Sequence, residues 1–358
     1  MIKSHLSRSI SAHADLQSAC NTKQICNLLT TSTSLPILLL FLLPTLLSLF
    51  NCPPLLAQEN PQWDDTQKKA WSEVFQWVEI PSSLDDSLQK AYFYKTTHPA
   101  PQPLIISLHT WSGDYTQQDP LAAQVAAKNW NYIHPDFRGP NNTFKACGSA
   151  WVISDIEDAI AFAIQEGNVD TTEIHIIGVS GGGFATTLMY MQTQHTVKSF
   201  SAWVPITNLV DWYYESLGRG NQYADHIWQA TRSDTTLNIA EATKRSPYFM
   251  KTPVQERRNS TITIYAGIHD GYTGSVPVSQ SINFYNKLVR DTAPNAVEAI
   301  VPVETLLHLI TKRNFSENKS PEFLGDRKIV YQKHFKNTHL ILFEGGHEML
   351  ADVALELL

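Results

Sequence analysis

The segment EIHIIGVSGGGFATTLMYM, residues 173–191, passes from one apolar run to another through a serine and three glycines. A joint this flexible between a strand and a helix has two chemical uses. It can let a phosphate approach backbone N–H groups, or it can hold one residue strained and exposed for nucleophilic attack. A phosphate loop wants a lysine after the glycines, and Phe184 stands there instead; a dinucleotide fingerprint wants G-x-G-x-x-G, which the segment lacks. Gly178-Val179-Ser180-Gly181-Gly182 does match G-x-S-x-G, with the preceding strand and following helix that give that motif its meaning. The glycines remove side chains that would collide across a sharp turn, and the turn lifts the Ser180 hydroxyl above the carboxyl end of a sheet.

The sequence around this joint predicts an α/β protein. AYFYKTT, PLIISLH, NYIHPDF, EIHIIGVS and VKSFSAWVPI read as strands, alternating with helix-like stretches such as DPLAAQVAAKNW and VISDIEDAIAFAIQEG. In the latter, Ile153, Ile156, Ile160 and Ile164 share a face. The consecutive isoleucines of EIHIIGVS suit a strand buried on both faces of a parallel sheet. Phe184, Leu188 and Met191 recur at helical spacing and read as core. An aromatic and polar stretch, TNLVDWYYESLGRGNQYADHIWQATRSD, reads as an insertion over the sheet edge. TITIYAG and HLILFEG read as the last two strands, with the helix VPVSQSINFYNKLV and an irregular stretch, residues 293–337, between them.

A serine is a poor nucleophile at neutral pH, so the motif requires a histidine base and a carboxylate to orient it. In the motif's usual order, serine, acid, histidine, Asp270 ends the strand that begins near Thr261, and His347 follows the final strand; both sit at carboxyl ends of strands, where open α/β sheets build sites. His269 is the rival base, although an adjacent strand residue points to the opposite face. Asp326 and Glu344 remain alternatives for the acid. Asp155 and Asp158 lie on a helix and read as loop tethers. The oxyanion needs two donors: Gly181 N–H, and a second from HTWSGDY, for which Trp111 N–H is the choice, with Thr110 N–H and the Tyr115 side chain as alternatives. No H-E-x-x-H, paired cysteines or carboxylate cluster calls for a metal, and no cofactor is expected.

Composition sets the surroundings of this chemistry. With 358 residues, 43% of them hydrophobic, the chain suits one large domain of roughly 300 residues after any targeting segment is removed. The net charge of −7 is spread without long runs, which argues against a nucleic-acid partner, and no obligate protein partner is evident. Residues 35–50 form an uncharged apolar run after Lys3, Arg8 and Lys23; the run is short for a spanning helix, and Ala57 offers a small residue before a cut. Residues 1–57 therefore read as a signal peptide for export to the periplasm or beyond, with an uncleaved anchor as the alternative and a lipidated Cys52 as a weaker one, since Asn51 precedes it. Residues 58–358 form the catalytic domain. Cys147 is then the only cysteine left, and it reads as a small buried residue.

Several segments resemble the α/β-hydrolase superfamily, and within it the catalytic domain of the prolyl oligopeptidase family: LHTW, PDFRGPN, Gly178 to Gly182, SPYF, HDG, VPVSQSINFYNKL and GGHEM. The resemblance spans roughly residues 90 to 358. It implies a mostly parallel central sheet with helices on both faces, a helical and aromatic insertion after the sixth strand, and metal-free acyl transfer with Ser180 as nucleophile, Asp270 as orienter and His347 as base. Three features depart from the family. Residues 58–104 leave no room for the β-propeller that usually precedes the peptidase domain, three extra residues separate Asp270 from Val276-Pro277, and residues 305–327 have no counterpart. The first departure points to an ester substrate, on a small molecule or polysaccharide, with a peptide as the alternative; a binding protein that keeps the fold without the chemistry is a third reading. Trp203, Trp212, Tyr213, Tyr214 and Arg219 flank or occupy the insertion, where aromatics either stack on sugars or pack the insertion down.

Overall fold

The computed structural model describes residues 70–232, 236–315 and 321–358; the segment read as a signal peptide or anchor lies outside the described residues. Among the described residues ten strands form one sheet: β1 (Gln76–Pro81), β2 (Leu88–Tyr94), β3 (Gln102–Leu108), β4 (Asn131–Pro135), β5 (Val169–Val179), β6 (Ser199–Trp203), β7 (Thr261–Gly267), β8 (Phe323–Leu324), β9 (Arg327–Phe335) and β10 (Thr338–Phe343). Their order is β1-β2-β4-β3-β5-β6-β7-β10-β9-β8. The six central strands, from β4 to β10, run parallel, and antiparallel strands flank them at both ends. The sheet is that of an α/β-hydrolase.

The central strands are continuous apolar runs because both of their faces are covered. All five residues of β4 and of β6 are buried, as are Ile174, Ile176 and Ile177 in β5. Crossovers are made by α1 (Pro120–Ala127), α2 (Ala150–Glu166), α3 (Gly181–Gln192) and, after β7, α7 (Val278–Thr292). Local chemistry fixes their starts: Asp119 accepts from Leu121 N with Pro120 in the first turn, and Ser149 accepts from Val152 N. Since β3 lies between β4 and β5, the strand order reverses there and opens a crevice at the carboxyl ends of β3 and β5, where such sheets bind ligands.

The insertion between β6 and β7 consists of α4 (Leu209–Arg219), α5 (Tyr223–Ala230) and α6 (Ile239–Arg245), the first and last capped by Asn208 and Asn238. Leu209, Trp212, Ile227 and Ala230 from these helices close a second apolar cluster with Trp111, Phe184 and Val276. The stretch at residues 293–337, expected to be irregular, instead contains α8 (Val303–Lys312) and the strands β8 and β9, so TITIYAG and HLILFEG are not consecutive strands. Charge hides β9: RKIVYQKHF buries only Val330 and Tyr331, because on its outer side it meets nothing longer than the two residues of β8. No helix among the described residues is long and apolar enough to cross a membrane.

Candidate active site

Ser180 takes its place from the collision geometry of the joint. Its backbone has φ 59° and ψ −117°, a strained conformation for a residue with a side chain, and its N–H is tied to Trp203 O at 2.9 Å. The flanking glycines are required. A Cβ on Gly178 would lie 2.4 Å from the carbonyl carbon of Gly182, and one on Gly181 would lie 2.2 Å from Trp111 N. Ser180 also stands at the N-cap of α3 yet makes no side-chain cap bond. Its hydroxyl is turned toward His347, whose Nε2 is 2.8 Å from Ser180 Oγ.

His347 Nδ1 is 2.7 Å from Asp270 Oδ2. With the Nδ1 proton donated to the carboxylate, Nε2 is left to accept from the serine hydroxyl, which is the tautomer a base requires. Asp270 is buried, and its other oxygen accepts from Gly271 N at 2.8 Å and Val276 N at 3.1 Å. These donors fix the direction of the carboxylate. The competing residues sit elsewhere. His269 pairs at 2.5 Å with Glu344, which removes both from contention, and the Asp326 side chain is 91% exposed beside Arg327. Asp155 and Asp158 act as tethers: Asp155 takes Arg138 and Ser82, and Asp158 takes Ser83 N.

Hydrogen bonding distinguishes the two backbone candidates for the second oxyanion donor. Thr110 N–H donates to Gln117 Oε1 at 2.9 Å and is therefore engaged, whereas Trp111 N lies where a Cβ on Gly181 would meet it at 2.2 Å. Trp111 is held from three sides. Its carbonyl accepts from Asn141 N and Nδ2, its ring packs against Trp212 and Phe184, and its indole N–H donates to His226 Nδ1 at 3.2 Å. Burial holds the His226 imidazole below its ordinary pKa, so the acceptor is present at neutral pH. Gly181 opens α3, so its N–H has no acceptor within the helix. Tyr115 is turned away, with its ring beside Tyr92 and Lys90.

The extra residues after Asp270 fold back on the pair. Gly274 backs onto Asp270 Oδ1 and His347 Cβ, while Trp212 Nε1 and Arg219 Nη1 from α4 hold Ser275 O. Trp203 and Trp212 are fully buried, which assigns them to packing; Trp203 stacks on Tyr265 at 4.0 Å. Cys147 is buried, and burial pushes its thiol up to about 12, which keeps it protonated and unreactive. Among the described residues, no group of three His, Cys, Asp or Glu side chains could hold a metal. Arg327, Glu348, His226 and Asn141 support the site; Asn141, His226 and Glu348 lie in PDFRGPN, the aromatic insertion and GGHEM, but no motif singles them out, and Arg327 lies in none of these segments.

A serine, a histidine and an aspartate in hydrogen-bonded series at the carboxyl edge of this sheet define a serine hydrolase of the α/β-hydrolase fold. The model of the prolyl oligopeptidase family matches residues 121–320, more than half of the chain, and the chain belongs to that family. Ser180 and Asp270 fall within the match, and His347 lies beyond it. Similar solved structures include the Pyrococcus horikoshii acylaminoacyl peptidase, at 18% identity and TM-score 0.50, covering 61% of this chain and 35% of that one. A Mycobacterium tuberculosis puromycin-hydrolyzing peptidase matches at 14% identity and TM-score 0.51, covering 79% and 37%. Oligopeptidase B from Leishmania major matches at 12% and 0.50, covering 78% and 34%. The chain thus spans about a third of the length of these structures, and at such identities the likeness is one of fold.

Proposed function

We propose that this chain is a serine peptidase of the prolyl oligopeptidase type, acting on short peptides through an acyl-enzyme on Ser180. Ser180 Oγ attacks the scissile carbonyl carbon as its proton passes to His347 Nε2, and Asp270 stabilises the imidazolium that results. Gly181 N–H and Trp111 N–H receive the oxyanion. Collapse of the tetrahedral intermediate breaks the C–N bond, and His347 returns the proton to the departing amine. Water, deprotonated by the same imidazole, then releases the acid. The observation that carries the reading is the Ser180–His347–Asp270 series at 2.8 and 2.7 Å in a chain of this family.

The same series would cleave an ester, which asks less of the proton donor because its leaving group is better. Membership of the peptidase family favours the amide, and burial removes Trp203 and Trp212 from any sugar platform, leaving the exposed Tyr214 of the aromatics offered for that role. A panel of fluorogenic peptides, with prolyl and other residues before the scissile bond and with free and blocked amino ends, tests the proposal against acetylated and methyl-esterified glycans. Peptide cleavage abolished by Ser180→Ala is the expected result. Turnover of the glycan esters with no peptide cleaved would replace the peptidase with an esterase. Export is a separate proposal: protein recovered outside the cytoplasm should begin near Gln58, and an intact 35–50 segment would favour the anchor.

A further inference from the structure

The turn that carries His347 is gripped from β9. Glu348, next in the chain, is buried; its Oε1 accepts from Gly346 N at 3.1 Å and its Oε2 from Arg327 Nη2 at 3.1 Å. Arg327 Nη1 also donates to Glu344 O at 3.3 Å, and Glu344 N donates to Lys328 O at 2.8 Å. The first two residues of β9 therefore hold the turn at its beginning and, through Glu348, at its end. On its other side the turn meets the loop that carries Asp270, where His269 N donates to Gly345 O at 3.0 Å. The His269–Glu344 pair is half-exposed, so water screens it and it restrains the turn weakly. The Arg327–Glu348 pair is the sheltered one, its carboxylate side chain only 9% exposed.

We infer that Arg327 and Glu348 are positioning residues for His347, and that the β8–β9 hairpin, including a segment without counterpart in the resemblance, belongs to the catalytic apparatus. The inference rests on His347 being the base. Its mechanism is direct. The Glu348 carboxylate fixes the Gly346 amide, the peptide entering His347, and a buried carboxylate keeps that direction only while a cation pairs with its second oxygen. Without Arg327, Glu348 turns toward water and releases the Gly346 amide. The imidazole then loses its simultaneous alignment to Ser180 Oγ and Asp270 Oδ2, and a displacement of about 1 Å is worth roughly 100-fold in rate.

The test compares Arg327→Met, Arg327→Lys and Glu348→Gln with the wild type. Active sites are first titrated with a fluorophosphonate probe, so that misfolded molecules are not counted. The kcat and KM for p-nitrophenyl acetate are then measured per active site, together with the far-downfield proton resonance of the His347–Asp270 hydrogen bond. Arg327→Met and Glu348→Gln should lower kcat by about 10- to 100-fold, with KM within about twofold, and should shift or broaden the resonance. Arg327→Lys, which keeps a cation for Glu348, should recover most of the loss. Wild-type kcat per active site in the Met and Gln variants would overturn the inference, as would equal losses in the Lys and Met variants with an unmoved resonance. Absence of probe labelling in the wild type would instead sink the reading of Ser180 and His347 on which the inference stands.

Discussion

Two buried imidazoles beside the catalytic loops make the fold sensitive to acid. His109 follows β3 two residues before Trp111, and His134 lies in β4; Nδ1 of each donates to a backbone carbonyl, Thr110 O at 2.9 Å and Ser107 O at 2.8 Å. Each Nε2 is buried without a hydrogen-bond partner, and burial pulls both rings down to about 4 from an ordinary 6.5. His109 Nε2 is 3.8 Å from Asp136 Oδ1, and with the ring neutral at pH 7 this contact is not an ion pair. A base with a depressed folded pKa stabilises the fold fully above its unfolded value and loses that contribution as pH falls through 6.5 toward 4, because only the unfolded chain takes up the proton. At 1.36 kcal/mol per pH unit, that interval is worth about 3 kcal/mol for each ring, and the combined slope reaches about 2.7 kcal/mol per pH unit. Asp136, raised by burial, binds its proton more readily in the folded state and offsets part of this at the acid end. Against a total stability of about 5–15 kcal/mol the loss is large. Urea unfolding followed by tryptophan fluorescence at pH 7.5, 6.5, 5.5 and 4.5 measures it. Stability that stays flat from 6.5 to 4.5, or a His109→Gln/His134→Gln variant with the wild-type slope, would refute the reasoning.

Two further outcomes concern the site. Asp270→Asn should lower kcat by about 10⁴-fold by leaving the imidazole in the wrong tautomer, while Asp326→Asn and Glu344→Gln change it less than about threefold; steady-state kinetics on any cleaved substrate gives the ranking. Gly181→Ala should cost at least about 100-fold in kcat, since its Cβ would stand 2.2 Å from Trp111 N and displace an oxyanion donor; a folded Ala variant with wild-type kcat would remove Trp111 from that role.

What the sequence discloses follows the range of the interactions. The joint at Ser180 is written locally, because the glycines answer collisions within a few residues of one another, and the central strands are written in apolar runs that burial on both faces demands. Asp270 and His347 can be read from chain order and strand ends, although Asp326 and Glu344 stay open until Glu344 is seen paired with His269. The choice between Thr110 and Trp111 depends on where Gln117 reaches, which no spacing encodes. The strand β9 escapes because an edge strand needs few apolar residues, and its charged Arg327 reads as surface until Glu348 is found beneath it. For Trp203 and Trp212 the sequence leaves packing and sugar stacking both open, because an aromatic near a cleft serves either, and only their burial selects packing.

The central claim is that Ser180 is the nucleophile, and mapping the adduct of a fluorophosphonate probe on the folded protein tests it most directly. Digestion and mass spectrometry should find a single phosphonylated residue, Ser180, in the peptide that spans Gly178 to Gly182, with labelling lost in Ser180→Ala while circular dichroism stays unchanged. An adduct on any other residue, labelling that persists in the alanine variant, or no adduct on folded protein would contradict the account.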